Sequence, residues 1–285
     1  MPACKPVARL AQALCLGIAC LGFSSSPAAA QTAVPCNTGL LAAAITAANA
    51  TGDTLVLTSG CTYALNAPLP DITGNVVIDA NGSTITRSTW SAFRILVVNP
   101  GGDLNLRNAF ITNGDGTGTF GGGIANAGTL TVTGSTISNS HADFAGAIGT
   151  TYGAHTTIVD SNIVSNLATL NGGGLANDGS TTVIRSHVTG NVAGVQGGGI
   201  ANTGVLRIQD SEINSNQANT AGGIANFGGG SVDLHQSYVN ANTAASAPGG
   251  ITNVAGSVPL VATDVSGNSP TNCWGSPLFI AGCTG

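Results

Sequence analysis

Runs such as Leu130-Thr131-Val132-Thr133 alternate apolar and polar residues, a period of two that predicts β-strands rather than helices. The runs are themselves periodic. Gly122-Gly123-Ile124-Ala125-Asn126 returns as Gly146-Ala147-Ile148-Gly149-Thr150, Gly173-Gly174-Leu175-Ala176-Asn177, Gly198-Gly199-Ile200-Ala201-Asn202, Gly222-Gly223-Ile224-Ala225-Asn226 and Gly249-Gly250-Ile251-Thr252-Asn253. From Ile124 to Ile251 the spacings are 24, 27, 25, 24 and 27 residues. A second apolar anchor runs alongside: Ile111, Ile137, Ile163, Val188, Ile213, Val239 and Val265. At about 3.3 Å per residue, such a period closes one turn of about three short strands, with successive turns stacked about 4.8 Å apart. One unit cannot bury its Ile and Val alone, whereas a stack makes the core continuous. A leucine-rich horseshoe would need a Leu-x-x-Leu-x-Leu signature, which is missing. The chain is therefore expected to be an all-β, single-stranded parallel β-helix, a solenoid whose variable spacing falls at the corners.

A stack of coils exposes two ends that need covers. Residues 38–49 form the one convincing helix, with Thr38 as the expected N-cap and Leu41, Ile45 and Ala48 on one face. The expected division is 1–30 signal peptide, 31–52 N-terminal cap, 53–272 coils and 273–285 C-terminal cap. The signal reading rests on Lys5 and Arg9, the apolar run Leu10 to Phe23, a break at Ser24–Pro27 and Ala28-Ala29-Ala30 before Gln31. Secretion follows as an expectation. Cys4, Cys15 and Cys20 fall in the signal, leaving Cys36, Cys61, Cys273 and Cys283. An even number in an exported chain favours disulfides over a zinc site, for which no C-x₂₋₄-C pair exists. Three connectivities are open, and proximity favours Cys36–Cys61 and Cys273–Cys283.

Composition narrows the function classes. Only 7% of residues are charged, while Gly numbers 42 of 285, against about 25% charged residues in ordinary domains. A chain beginning at Gln31 keeps five Arg, no Lys and twelve acids. Nucleic-acid binding is excluded, because counterion release needs clustered Lys and Arg. No uninterrupted apolar stretch reaches 18 residues, so no membrane span is expected once the signal is removed. Gly114-Asp115-Gly116-Thr117-Gly118 has no Lys and no phosphate-loop motif follows it. No cofactor or metal is expected: His141, His155, His187 and His235 occupy different repeat positions, and Asp115 lacks the glycine-rich nonapeptide of calcium β-rolls.

Aligned repeats generate columns. One reads Asn166, Asn191, Asn216, Asn242 and Asn268, another Asn126, Asn177, Asn202, Asn226 and Asn253. Both are expected to be structural ladders, since Asn tolerates left-handed φ and bonds neighbouring backbone at corners. Phe120 and Phe144, equivalent in register, are expected to be a buried stack. Trp90, Tyr152, Phe227 and Tyr238 would be sugar platforms if exposed. Arg207 should stand one coil from Asp233. The one charged cluster is Asp160, Arg185, His187, Asp210 and Glu212, expected on one outward strip across three coils. Its chemistry suits an acidic glycan, with carboxylates for acid/base work, Arg for a uronate and His to carry a proton. Alternatively, it is a ladder of alternating surface charge.

Asp53-Thr54-Leu55-Val56-Leu57, Tyr63-Ala64-Leu65 and Pro68-Leu69-Pro70 resemble the opening coils of exported bacterial right-handed parallel β-helix proteins. The Gly-Gly-Ile-Ala-Asn, Gly-Thr-Leu-Thr-Val and Ser-Thr-Ile-Ser-Asn phrases resemble repeats of the pectin-lyase-like superfamily, in the branch that includes polymorphic outer-membrane proteins. The resemblance covers roughly residues 36 to 273. It implies the fold and leaves activity open, because lyases, hydrolases and adhesins share it. The lyases' Arg or Lys beside calcium-binding carboxylates, and the hydrolases' Asn-Thr-Asp, Asp-Asp and Gly-His-Gly motifs, have no counterpart. Only a dozen residues follow Cys273, too few for a membrane barrel. The expectation is a secreted, non-enzymatic module for adhesion or surface interaction, its partner an extracellular glycan or a surface protein. The alternative is a divergent polysaccharide lyase or glycoside hydrolase using the charged strip.

Overall fold

The computed structural model describes residues 30–285; the signal-peptide reading and its three cysteines fall on residues 1–29, outside the described residues. The chain is an all-parallel β-solenoid of about nine turns. A full turn contributes a strand to each of four sheets, not the three strands expected. Ile124–Asn126 belongs to a seven-stranded sheet, Thr129–Thr133 to a ten-stranded, Thr136–Ser138 to a nine-stranded and His141–Phe144 to a six-stranded sheet. The fourth face, the six-stranded sheet, escapes the pattern because its inward residues are too small to mark a strand as an apolar anchor does.

Register is strict. Thr129 lies opposite Asp103 on one side and His155 on the other, and Ile137 opposite Ile111 and Ile163. Alternation turns Leu130 and Val132 inward, together with Ile124 and Ile137, and all four are buried. Three sheets thus supply columns of large aliphatics. The six-stranded sheet supplies small residues, Ala142, Ala168, Ala193 and Ala218. Truncating an anchor such as Ile163 to Ala costs about 2–5 kcal/mol.

Corners are made by residues in the left-handed region. The turn that begins at Ile124 uses Gly134 (φ 58°), Asn139 (φ 51°) and Ala145 (φ 56°). After each such bend a polar side chain ties neighbouring coils together. Asn166 Oδ1 accepts from the Ser140 amide at 3.0 Å, and Asn191, Asn216, Asn242 and Asn268 each accept both the backbone and the side-chain N–H of the Asn one coil earlier at 2.9–3.0 Å. These asparagines do not themselves adopt positive φ, contrary to the reason that singled them out. The residue before them does, as at Ser165, Gly190, Ser215 and Ala241. A serine ladder, from Ser135 through Ser161, Ser186 and Ser211 to Ser237, repeats the device at the next corner, each amide donating to the following Oγ at 3.1–3.2 Å.

The second Asn column is continuous only from Asn177 to Asn253. Thr150 interrupts it. Asn126 donates to Thr156 Oγ1 at 2.9 Å, Thr156 and Thr150 share a 2.6 Å bond, and Thr181 donates to Asn177 Oδ1 at 2.8 Å. Two inward threonines of the ten-stranded sheet therefore splice the ladder.

Both ends are covered. Strand β1 (Gln31–Val34) pairs with β2 (Thr54–Leu57) and begins the ten-stranded sheet. Helix α1 (Thr38–Thr51) buries Leu41, Ile45 and Ala48, as its spacing predicts. Its N-cap is not the expected Thr38 but the residue before it, Asn37, and Asn37 Oδ1 accepts from the Leu40 amide at 3.0 Å. Cys36–Cys61 ties helix to coil, and Cys273–Cys283 closes the loop at the other end.

Candidate functional site

The charged residues do gather, but in pairs that satisfy one another. Asp160, Arg185 and Asp210 occupy successive left-handed corner positions (φ 49°, 45° and 50°). Arg185 donates to both Asp160 oxygens, from Nε at 2.8 Å and Nη2 at 3.0 Å. The two side chains are 55% and 51% exposed. That hydrogen bond and charge hold the Asp160 carboxyl below its ordinary value, and Asp160 in turn raises Arg185, with Asp210 adding to the effect. A general acid needs the opposite shift. His187 Nε2 lies 3.8 Å from Glu212 Oε2, Glu212 Oε1 accepts from Asn214 at 2.6 Å, and Asp210 accepts from Gln209 at 3.1 Å. Arg207 stands opposite Asp233 as expected, yet Asp233 bonds His235 at 3.0 Å.

A second charged cluster goes unread in the sequence, because Arg87 comes from the nine-stranded sheet whereas Asp115 and His141 are register partners in the six-stranded one. Asp115 accepts from Thr117 Oγ1 at 2.6 Å and lies 3.6 Å from both Arg87 Nη2 and His141 Nδ1. Burial pulls its carboxyl upward, but the bonds from Thr117, the Arg87 charge and His141 outweigh that and hold it below its ordinary value. Arg87 also donates to the carbonyls of Asn113, Thr89 and Ser91, so the cluster anchors the loop that carries Trp90. Among the described residues, no group of three or more His, Cys, Asp or Glu is placed to share a metal ion.

The seven-stranded sheet presents a different surface. Its strands turn the first and third residues inward, so the middle residues Val97, Ala125, Gly149, Ala176, Ala201 and Ala225 line its outer face. The last strand adds Thr252, so all but Val97 and Thr252 are Ala or Gly, and Gly149, Ala176 and Ala201 form the floor of a groove. Phe120 and Phe144, paired in register at the ends of six-stranded-sheet strands, make one wall with Asn171. Thr151, Asp178 and Phe227 make the other. The cavity between them measures about 260 Å³. The two phenylalanines are stacked as expected but not buried: Phe144 is 41% exposed. Their strands bulge between Ala142 and Phe144, which re-aims the following side chain outward.

Gly149 explains the departure of Gly146-Ala147-Ile148-Gly149-Thr150 from the repeat phrase. A Cβ there would lie 2.4 Å from Phe120 Cδ2, so glycine lets the ring lie over the sheet. The Arg94 guanidinium covers that ring at 5.2 Å from its centroid, a cation–π contact. Asn171 Oδ1 and Arg94 Nε are buried without a hydrogen-bond partner among the described residues. An unpartnered buried polar atom costs about 1–3 kcal/mol, and Asn171 lines the cavity itself. Such a groove accepts an apolar face against its rings, a donor at Asn171 and a further donor at Asp178. Of the aromatics singled out in the sequence, Trp90 and Tyr152 are fully or almost fully exposed, Tyr238 is half-exposed and Phe227 joins the groove wall. Compared with family models, with curated proteins and with solved structures, the chain matches none.

Proposed function

We propose that the chain is an exported, non-enzymatic β-helix of the bacterial pectin-lyase-like kind, a surface-interaction module that holds an extracellular glycan in the groove of the seven-stranded sheet. The carrying observation is the groove itself. Phe144 and Phe227 offer rings to the C–H faces of a sugar, while Asn171 Oδ1 lacks, among the described residues, the donor that a hydroxyl would supply. Asp178 is the one carboxylate in the lining, whereas acid/base cleavage of a glycoside needs two flanking the bond. Two disulfides suit an oxidising, extracytoplasmic setting, and among the described residues no helix is long and apolar enough to cross a membrane.

The test is a panel of neutral and acidic polysaccharides, measured for binding and for new reducing ends and unsaturated products. The expected outcome is binding without cleavage, lost in Phe144→Ala. Cleavage that vanishes in Asp210→Ala or Glu212→Gln would replace this reading with that of a glycan-active enzyme working from the charged strip.

A further inference from the structure

The corners joining the seven-stranded to the ten-stranded sheet differ in length, and the difference opens a notch. Residues 99–102 make a four-residue corner, 127–128 a two-residue corner and 151–154 a four-residue corner; the next, 178–179, is again short. The corner carrying Tyr152 therefore stands above its neighbours on both sides. Between it and Pro100-Gly101-Gly102 lies a hollow of about 590 Å³ floored by Ala127 and Gly128, within the range of about 300–1,000 Å³ typical of small-molecule sites. Asp103, Thr129 and His155, consecutive in register, line its base.

Nothing in the fold accounts for Tyr152. It is 92% exposed, and among the described residues its hydroxyl makes no hydrogen bond. The side chains of Asp103, Thr129 and His155 likewise make none among the described residues, unlike every acid of the charged strip. An aromatic face thus stands beside a row that accepts at Asp103, donates or accepts at Thr129 and at His155, and is spaced by one strand, about 4.8 Å, per step. Among the described residues, no Lys or Arg lines the hollow or the groove, each of which carries one Asp, and the chain's formal net charge is −5. Anionic ligands are disfavoured there, and a hydroxyl-rich neutral one uses both the acceptors and the donors. Thr151 lines the notch and the groove alike, so a chain lying in the groove reaches Tyr152 by turning over the corner.

We infer that the Tyr152 notch is a second sugar subsite, taking a neutral pyranose ring of the same chain that occupies the groove, with its face on Tyr152 and its hydroxyls on Asp103, Thr129 and His155. The inference rests on the glycan reading of the groove and adds its ligand class and path. Calorimetric titration with neutral β-linked gluco-, manno- and galacto-oligosaccharides of increasing length tests it. In the wild-type chain affinity should rise with length until one oligosaccharide spans both sites. Tyr152→Ala should lower affinity for the long ligand about tenfold, the order that one aromatic contact supplies, and leave the short one unaffected. Asp103→Asn should act in the same direction more weakly. Tyr152 is 92% exposed, so an unchanged circular-dichroism spectrum and melting curve should accompany the loss. Unchanged long-ligand binding in Tyr152→Ala, with loss in Phe144→Ala, overturns the notch and keeps the groove. Failure of every neutral oligosaccharide to bind the wild-type chain overturns both.

Discussion

The groove face and the charged corner are cut from the same repeat, yet they leave their polar groups in opposite states. At the corner, Asp160, Arg185, Asp210 and Glu212 stand in water and each already holds a partner from its own coil or the next. Along the groove, charge is almost absent, the floor is Ala and Gly, and Asn171 Oδ1 is buried without a partner among the described residues. In a solenoid every outward position meets its own equivalent one coil away, so a charged column must alternate in sign or repel. Arg185 between Asp160 and Asp210 meets that demand. Concentrated charge here is explained by stacking, whereas an unfilled acceptor beside three aromatic rings is not. The comparison teaches that what a side chain still lacks is a better guide to a site than the charge it carries.

The sharpest way to separate architecture from function lies in the asparagine ladder, at the corner that follows the charged one. Asn191→Ala removes the acceptor of the Asn166 backbone and side-chain N–H and the donor to Ile163 O and Asn216. We expect a loss of about 3–5 kcal/mol, since several buried groups lose partners together, read as a lowered midpoint in urea unfolding. Next comes Gly149→Ala. The new Cβ would displace the Phe120 ring, so glycan binding should fall at least about tenfold, with a stability cost of about 1–3 kcal/mol for the crowding. Arg185→Gln should do far less than either. It breaks an exposed pair that solvent screens, so the unfolding midpoint should hardly move and binding should stay at the wild-type level. A loss of binding in Arg185→Gln would erase the distinction between the two faces.

The smallest expected effect is a pH dependence centred on Asp115. Its carboxyl is held below the ordinary value of 3.8, so its contribution to stability is complete above that value and is lost as pH falls through the lower folded one. Unfolding midpoints should therefore be insensitive to Asp115 between about pH 7 and 5, and the wild-type chain should lose more stability than Asp115→Asn below about pH 4. Parallel curves for the two chains down to low pH would show that the Arg87–Asp115–His141 cluster adds nothing to the loop it anchors.

Much of the architecture is legible in the sequence, because stacking converts a column of identical residues into a spatial neighbour list. The anchors from Ile111 to Val265, the amide ladder from Asn166 to Asn268 and the buried helix face of Leu41, Ile45 and Ala48 follow from spacing alone. The six-stranded sheet does not, since its buried column is Ala142, Ala168, Ala193 and Ala218, too small to mark a strand as an apolar anchor does. Nor does the exposure of Phe144, which depends on a register shift against the neighbouring strands between Ala142 and Phe144. The groove is harder still. Its floor belongs to a phrase that reads as a corner, and its signal is the departure at Gly149 and Thr150, meaningful only once Phe120 is seen over the one and Thr156 beside the other. Asp115 and His141 are register partners in the six-stranded sheet, but Arg87 reaches them from the end of a strand of the nine-stranded sheet, a proximity that no single column contains.

The most direct measurement is a side-by-side titration of Phe144→Ala and the double variant Asp210→Ala, Glu212→Gln with a neutral oligosaccharide that the wild-type chain binds. The account predicts that Phe144→Ala loses at least about tenfold in affinity, a difference of about 1.4 kcal/mol, while the double variant binds like the wild-type chain. Full binding by Phe144→Ala with loss in the double variant would contradict it and move the site to the charged corner.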